Sequence, residues 1–310
     1  MEILITILPI FLIIGLGYIL RAKNIVKAPW VKNLNGFVYN VSLPALIIYS
    51  FSSLKWTETN IGQLLLIQLL IILITAIIVA IILRALPLSK KDQSVLFLTA
   101  TVGNTVYLGI PLVTSALPGI VNADVTSIAS AIGVVQLVGS MLIALFVIEY
   151  LFLGSRDNKF IGQSILRNPL VLAIMAGLLL GMLGWPVWLE RSIGIPLKLL
   201  AGTASPLALF MLGSFLFGHK INRKQERLTL ALLLKLGLAP LIAWLVMVGL
   251  QIFSTDRNIT VLMTGMPVAV TAFVLSETYE LDSTFAAATM LMTTVLSIIT
   301  VPILASILGL

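Results

Sequence analysis

The chain has no cysteine, a single histidine and few charged residues. Without cysteine there is no disulfide framework, no thiolate metal site and no thiol nucleophile. The one histidine, His219, stands in a basic loop. No two acids share the centre of an apolar segment, so the paired acids, Ser–His pair or metal ligands that hydrolysis needs at depth are missing. An enzyme is therefore not expected, and no cofactor or metal is expected either. Only 10% of the 310 residues are charged and 59% are hydrophobic. Mean hydropathy is +1.13. A soluble domain of this length cannot hide so much apolar side chain in one core. The lipid bilayer is thus the expected solvent. The formal charge of +7 does not indicate nucleic acid, because the basic residues flank apolar runs, as membrane topology requires.

Apolar runs of spanning length number roughly ten. They cover 3–20, 34–53, 63–84, 94–117, 126–153, 167–185, 195–217, 229–252, 258–279 and 283–309. Glu2 precedes the first run, and Arg21, Lys23 and Lys27 follow it. That polarity is the reverse of a secretory signal. One set of connections carries Arg21, Lys23, Lys27 and Lys32, then Arg84, Lys90 and Lys91, then Arg156, Lys159 and Arg167, then Lys220, Arg223, Lys224 and Arg227. The alternate set carries little beyond Lys55, Arg191, Lys198 and Arg257. The positive-inside rule places the first set in the cytoplasm and both termini outside it. The connection with Glu280 and Asp282 is acidic where cytoplasm is expected, but acids count for little in this rule.

The two halves resemble each other. Ser42-Leu43-Pro44-Ala45-Leu46 has a counterpart in Ser205-Pro206-Leu207-Ala208-Leu209, with the prolines 162 positions apart. At the same offset Gly103-Asn104 matches Gly265-Met266. Five spans per half is an odd number, so the second copy must enter from the opposite side. The expected architecture is all-α and integral to the membrane, an inverted repeat of residues 1–165 and 166–310.

Spans four and nine are interrupted. Asn104 lies ten residues past Ser94, about 15 Å deep at helical rise, which is the middle of a hydrocarbon core about 30 Å thick. The stretch Gly103 to Pro111 breaks span four there. Gly265-Met266-Pro267 through Thr271 breaks span nine near its centre. Pro111 cannot donate a backbone hydrogen bond and clashes with the preceding turn. Unsatisfied backbone persists at this depth only inside protein or beside a wet cavity. Half-helix N-termini in such a cavity favour an anion such as a carboxylate, and the Asn104 amide can both donate and accept. A lone kink or a lone asparagine is ordinary helix packing. Two breaks at matched depth point to one shared site, with Asn104, Thr105, Gly109, Pro111, Gly265, Met266, Pro267 and Thr271 as its candidate residues.

Those motifs carry a family likeness. Gly103-Asn104-Thr105-x-x-x-Gly109-Ile110-Pro111 resembles the fourth span of the auxin efflux carrier family, which includes the plant PIN auxin exporters. Gly265-Met266-Pro267-x-Ala269-Val270-Thr271-Ala272-Phe273-Val274-Leu275-Ser276-Glu277-x-Tyr279 resembles its ninth, and Arg167-Asn168-Pro169 resembles the start of its sixth. The resemblance runs along the whole chain. It implies the fold of bile-acid symporters, with crossing broken helices in spans four and nine. It implies a scaffold of spans 1, 2, 6 and 7, commonly a homodimer, and a moving transport domain of spans 3–5 and 8–10. It also implies that Asn104 contacts a substrate carboxylate. Thr271 departs from the asparagine frequent in bacterial members. Only residues 154–166 stand where many plant members carry a long cytoplasmic loop, as in a prokaryotic member of the inner (plasma) membrane.

Other residues have a bland reading beside a functional one. Lys235, about 12 Å past Arg227 by helical rise, is an intramembrane lysine and so a candidate for a coupling or charge role. The preferred reading lets its stem snorkel to the cytoplasmic interface. Glu277 and Glu149 read as interfacial, and Glu277 is the better of the two for a proton-linked role. Gln136, Thr293, Thr294 and Ser297 either line a path or satisfy themselves within helices. Gly177-x-x-x-Gly181 fits close helix packing. Trp30, Trp56, Trp185 and Trp188 read as interfacial anchors.

The expected function is secondary transport of a small organic anion by alternating access. An inside-negative potential of 100 mV is worth about 2.3 kcal/mol per charge, which sustains roughly a fortyfold outward gradient of a monovalent anion. Export needs no coupled ion, whereas import does. The resemblance implies a glutamate at the ninth-span crossing of sodium-coupled relatives, and Gly265 to Thr271 contains none. Efflux of an auxin-like aromatic acid or other carboxylate is therefore favoured. Proton- or sodium-coupled uptake of a dicarboxylate such as malate or malonate stays open, as does a channel or a non-transporting receptor. Replacing Pro111 with alanine repairs the break. Pro111→Ala should therefore lower transport into proteoliposomes far more than it lowers the yield of folded protein; equal loss of both would make Pro111 merely structural.

Overall fold

The computed structural model describes residues 2–52, 61–110, 112–113, 123–153, 169–183, 190–217, 225–252 and 255–309. Pro111, His219 and the basic residues Arg156, Lys159, Arg167, Lys220, Arg223 and Lys224 lie outside the described residues. Among the described residues the chain is helical, with one isolated antiparallel bridge and no strand. Five helices are long and apolar enough to cross a membrane: Gly62–Ala85, Ile132–Phe152, Arg191–Phe215, Glu226–Gly249 and Ser283–Ile307. Leu12–Ala22 and Val171–Leu183 are shorter apolar helices.

In chain order the helices are α1 (Glu2–Ala22), α2 (Ala28–Phe37), α3 (Leu43–Ser52), α4 (Ile61–Ala85), α5 (Lys90–Thr101), α6 (Ala123–Val147), α7 (Pro169–Leu183), α8 (Ile195–Leu216), α9 (Gln225–Leu232), α10 (Ala239–Gly249), α11 (Thr255–Thr264), α12 (Val270–Thr278) and α13 (Ser283–Ile307). Wide π turns join or extend several of them. Val38–Ser42 links α2 to α3, Thr105–Gly109 follows α5, Ile148–Leu153 extends α6, and Leu233–Leu238 links α9 to α10. The second of the expected spans thus begins earlier than its apolar run, at Ala28. Proline in the first turn of α2, preceded by extended Lys27, starts the helix there.

The chain divides into two compact units. One holds residues 1–9, 60–154 and 220–310, and the other holds 10–59 and 155–219. The first unit contains α4, α5, α6 and α9 to α13. Its helices expose long aliphatic stripes, such as Leu66, Leu69, Leu73, Ile77 and Ile81 along α4 and Val295, Ile299, Ile303 and Ile307 along α13. Such stripes are tolerable against lipid and not against water. The polar ends are handled differently. Ser89 caps α5 by accepting from the Asp92 amide at 3.1 Å, and Asp282 caps α13 by accepting from the Phe285 amide at 2.9 Å. Asp92 also pairs with Arg227.

The second unit is built on α1, α2, α3, α7 and α8. Here two helices meet backbone to backbone. A Cβ at Gly213 would lie 1.9 Å from the Ile14 carbonyl oxygen, and one at Gly17 would lie 2.1 Å from that of Phe210. The Ser214 hydroxyl uses this proximity to donate to the Gly17 carbonyl at 3.1 Å. Close approach of small residues replaces the hydrophobic drive that lipid removes. Gly177 serves α7 against α3 in the same way, with Ile48 Cα 3.0 Å from the position of its missing Cβ. Because the obstacle is main chain, Gly213→Ala must push α1 away from α8. Thermal unfolding in detergent should show a loss on the order of 1–3 kcal/mol; an unchanged melting temperature would contradict the packing.

Candidate functional site

The two interrupted spans break at residues 102–104 and 265–269 and meet there. α5 ends at Thr101, and Val102 turns to extended backbone. α11 ends at Thr264, and the chain is extended again at Ala269 before α12 starts. Gly103 and Val268 form the antiparallel bridge. The Asn104 amide donates to the Pro267 carbonyl at 2.7 Å, and the Ala269 amide donates to the Val102 carbonyl at 3.1 Å. Each break thus satisfies the other. The sequence suggests a cavity lined by free peptide groups; in the structure much of that backbone is paired across the crossing.

The remaining groups can be followed one by one. Pro267 has no N–H to give. The Val268 amide, which would have closed the last turn of α11 onto Thr264, donates instead to Thr293 Oγ1 of α13 at 3.1 Å. The Thr264 carbonyl, released by that substitution, accepts from Lys235 Nζ at 3.0 Å. Lys235 is only 1% exposed, so it does not snorkel to the interface. Its stem is held on the π turn Leu233–Leu238, directed inward, and its ammonium reaches the break.

Two half-helices start at the crossing, and neither has a side-chain cap. Asn104 is the N-cap of the π turn Thr105–Gly109 and Ala269 that of α12. This contrasts with the capped starts of α5 and α13. The first amides of a helix have no intrahelical partner, and the helix dipole adds partial positive charge there. Next to these starts are two buried oxygens without a hydrogen-bond partner, Asn104 Oδ1 and Thr271 Oγ1. Asn104 is 3% exposed and Thr271 is 2% exposed. Orphaned buried polar groups cost about 1–3 kcal/mol each. Both stand at the starts of the half-helices, Asn104 as the N-cap of one and Thr271 in the first turn of the other. The Asn104 amide in its reversed orientation would present N–H donors to the same space.

The other candidates have different surroundings. The Thr105 hydroxyl donates to the Gly133 carbonyl of α6 at 2.6 Å, so it ties the π turn to its neighbour. Gly109 is a close approach, since a Cβ there would lie 2.7 Å from Met263 Sδ and 3.1 Å from Met266 Cγ. Gly265 abuts Leu304, with a Cβ-to-Cδ2 distance of 2.7 Å. Met266 is buried and Pro267 supplies its carbonyl. Glu277 sits in the last turn of α12, half-buried, about 10 Å along the helix axis from Val270 at helical rise. It is not at the crossing. Glu149 accepts from the Tyr279 hydroxyl at 3.4 Å. Thr294 and Ser297 donate to carbonyls of their own helix. Gln68 of α4 donates to Gln136 of α6, and its own oxygen is left unpartnered and buried. Two glutamines in apolar runs were the only sequence signal for that pair. Among the described residues no group of histidine, cysteine or acids could hold a metal ion.

Comparison with known proteins places this geometry in a family. The model of the membrane transport protein family matches residues 2–159 and again 158–305, and the chain belongs to that family, the auxin efflux carriers. It is similar to an uncharacterized transporter of Methanothermobacter thermautotrophicus, at 27% identity over 304 residues and 96% of each chain. The chain is thus a helical multi-pass membrane protein of a transporter family.

Thr293 is the acceptor that lets α11 end where it does. Thr293→Val removes that acceptor and strands the buried Val268 amide, at a cost of about 1–3 kcal/mol. Melting of the purified protein should fall accordingly, and Thr293→Ser should restore it. A valine variant as stable as the parent would show that the amide is satisfied otherwise.

Proposed function

We propose that the protein is a secondary transporter that carries a small organic anion by alternating access, with the carboxylate held at the crossing. The observation that carries this reading is the pair of unpartnered buried oxygens, on Asn104 and Thr271, at two uncapped helix starts. A carboxylate accepts from a threonine hydroxyl, from an asparagine amide and from free backbone amides. The low dielectric of the interior strengthens each of these contacts. Thr271 supplies one donor where an amide would supply two, which suits a small or singly charged acid group.

The same reading takes the chain as ten spans in two inverted five-span halves, 1–165 and 166–310. Support comes from the landmarks at equal offset in the sequence and from the antiparallel pairing of the segments that bear them. The unit holding the crossing is the moving body. The unit holding α1 to α3, α7 and α8 is the scaffold, through which two copies associate. The termini face away from the cytoplasm of a cell whose inner membrane holds the protein. The membrane potential then drives export of an auxin-like aromatic acid or another carboxylate without a coupled ion.

A second reading has one observation in its favour. The unpartnered oxygens of Asn104 and Thr271 are also ligands for sodium, which would suit coupled uptake of a dicarboxylate such as malate or malonate.

Flux in proteoliposomes separates the readings. Efflux of labelled indole-3-acetate or malonate should saturate and follow an imposed potential without any cation gradient. Flux that ignores potential and tracks sodium or protons would select the uptake reading. Single-channel currents, or binding with no flux, would refute carrier transport. Asn104→Ala should weaken anion binding roughly 10- to 100-fold through loss of a charged hydrogen bond, with folding intact; near-normal affinity would remove Asn104 from the site.

A further inference from the structure

The crossing contains a cationic side chain that the anion site just described does not use. Lys235 is buried, and its ammonium donates to the Thr264 carbonyl at 3.0 Å. It also abuts the other break. A Cβ at Gly103 would lie 2.9 Å from Nζ and 3.2 Å from Cε, and 3.6 Å from the Met266 carbonyl oxygen. The lysine therefore occupies the space that any larger residue at position 103 would claim. Among the described residues no carboxylate forms an ion pair with it.

The surroundings explain why a cation belongs there. α11 ends at Thr264 and α5 ends at Thr101. Helix C-termini carry partial negative charge and unpaired carbonyls. The Thr264 carbonyl is free of its helix because the Val268 amide has turned to Thr293. In the interior of a membrane protein, carbonyls at the C-terminal ends of broken helices are sites for sodium. Here an ammonium on a four-carbon stem already donates to one.

We propose that Lys235 is a tethered cation that occupies the cation subsite of the crossing in place of a free sodium ion. The purpose of that charge, to hold an anion near Asn104 and Thr271, rests on the transport reading above. The occupancy of the subsite does not. Sodium has no room beside the Thr264 carbonyl while the lysine is present, so this subsite adds no sodium dependence to anion binding. The positive charge also travels with the unit that carries the crossing.

The test uses purified full-length protein, wild type against Lys235→Ala and Lys235→Met. Alanine removes the equivalent of propylammonium and opens the subsite, whereas methionine fills the volume without charge. Radioactive sodium binding and melting temperature are measured in sodium, choline and propylammonium chlorides. Wild type and Lys235→Met should ignore sodium. Lys235→Ala should bind it at least about tenfold more tightly than wild type and gain about 3 °C in about 100 mM sodium or propylammonium. A packing role for the stem alone predicts no such gain. The proposal is overturned if wild type binds sodium as tightly as Lys235→Ala, or if folded Lys235→Ala responds to neither cation. If Lys235→Ala cannot be recovered in any of these salts, Lys235→Met decides. It should keep its melting temperature and lose at least about tenfold in affinity for whichever of malonate and indole-3-acetate binds wild type; unchanged affinity contradicts the proposal. If neither anion binds wild type, the transport reading fails, while sodium binding still decides the role of the lysine.

Discussion

Two hydrogen bonds hold this structure together where lipid would otherwise forbid it. They run from the Asn104 amide to the Pro267 carbonyl and from the Ala269 amide to the Val102 carbonyl. A helix interrupted in hydrocarbon leaves peptide groups that cost several kcal/mol each. One interruption alone has no remedy nearby. Two of them, set antiparallel, can exchange donors and acceptors, as a pair of strands does. Everything else at the crossing follows from that exchange, including the diversion of the Val268 amide to Thr293 and the release of the Thr264 carbonyl.

The crossing is electrically polar as a result. Two helix ends bring carbonyls to it and two helix starts bring amides. The carbonyl side is met by Lys235. The amide side has no side-chain cap and two oxygens without partners. A neutral hole lined by aliphatic residues would pass no ion and select none. A buried ammonium at one end and uncapped helix starts at the other give the crossing a direction that such a hole would lack.

Much of the fold was legible in the composition and the period of apolar runs. Helix ends observed at Ala22, Ala85, Ser283 and Ile307 lie within a few residues of the apolar boundaries, because the bilayer sets length directly. The breaks were legible too, since glycine, asparagine and proline are poor material for a span. Their mutual pairing was not. It joins positions far apart in the chain, and no local pattern records which carbonyl meets which amide. Lys235 shows the limit from the other side. Its depth could be counted from Arg227, but a lysine stem reaches either way along a helix. Packing decides for the interior: Lys235 is buried, its ammonium donates to the Thr264 carbonyl, and its tip lies against Gly103. Thr105 and Thr271 differ in the same sense. Both were read as polar groups at a break, and only packing against Gly133 commits the first of them elsewhere.

The central claim is that the two breaks lie against each other in the membrane. Solid-state NMR on protein in lipid bilayers, labelled at the α-carbons of Gly103 and Val268, measures that directly. Residues opposed as a non-hydrogen-bonded antiparallel pair have α-carbons about 4.5 Å apart, and a strong dipolar contact between these two is the predicted result. Absence of that contact in well-folded protein, with each label coupled only to neighbours in its own helix, would contradict the account.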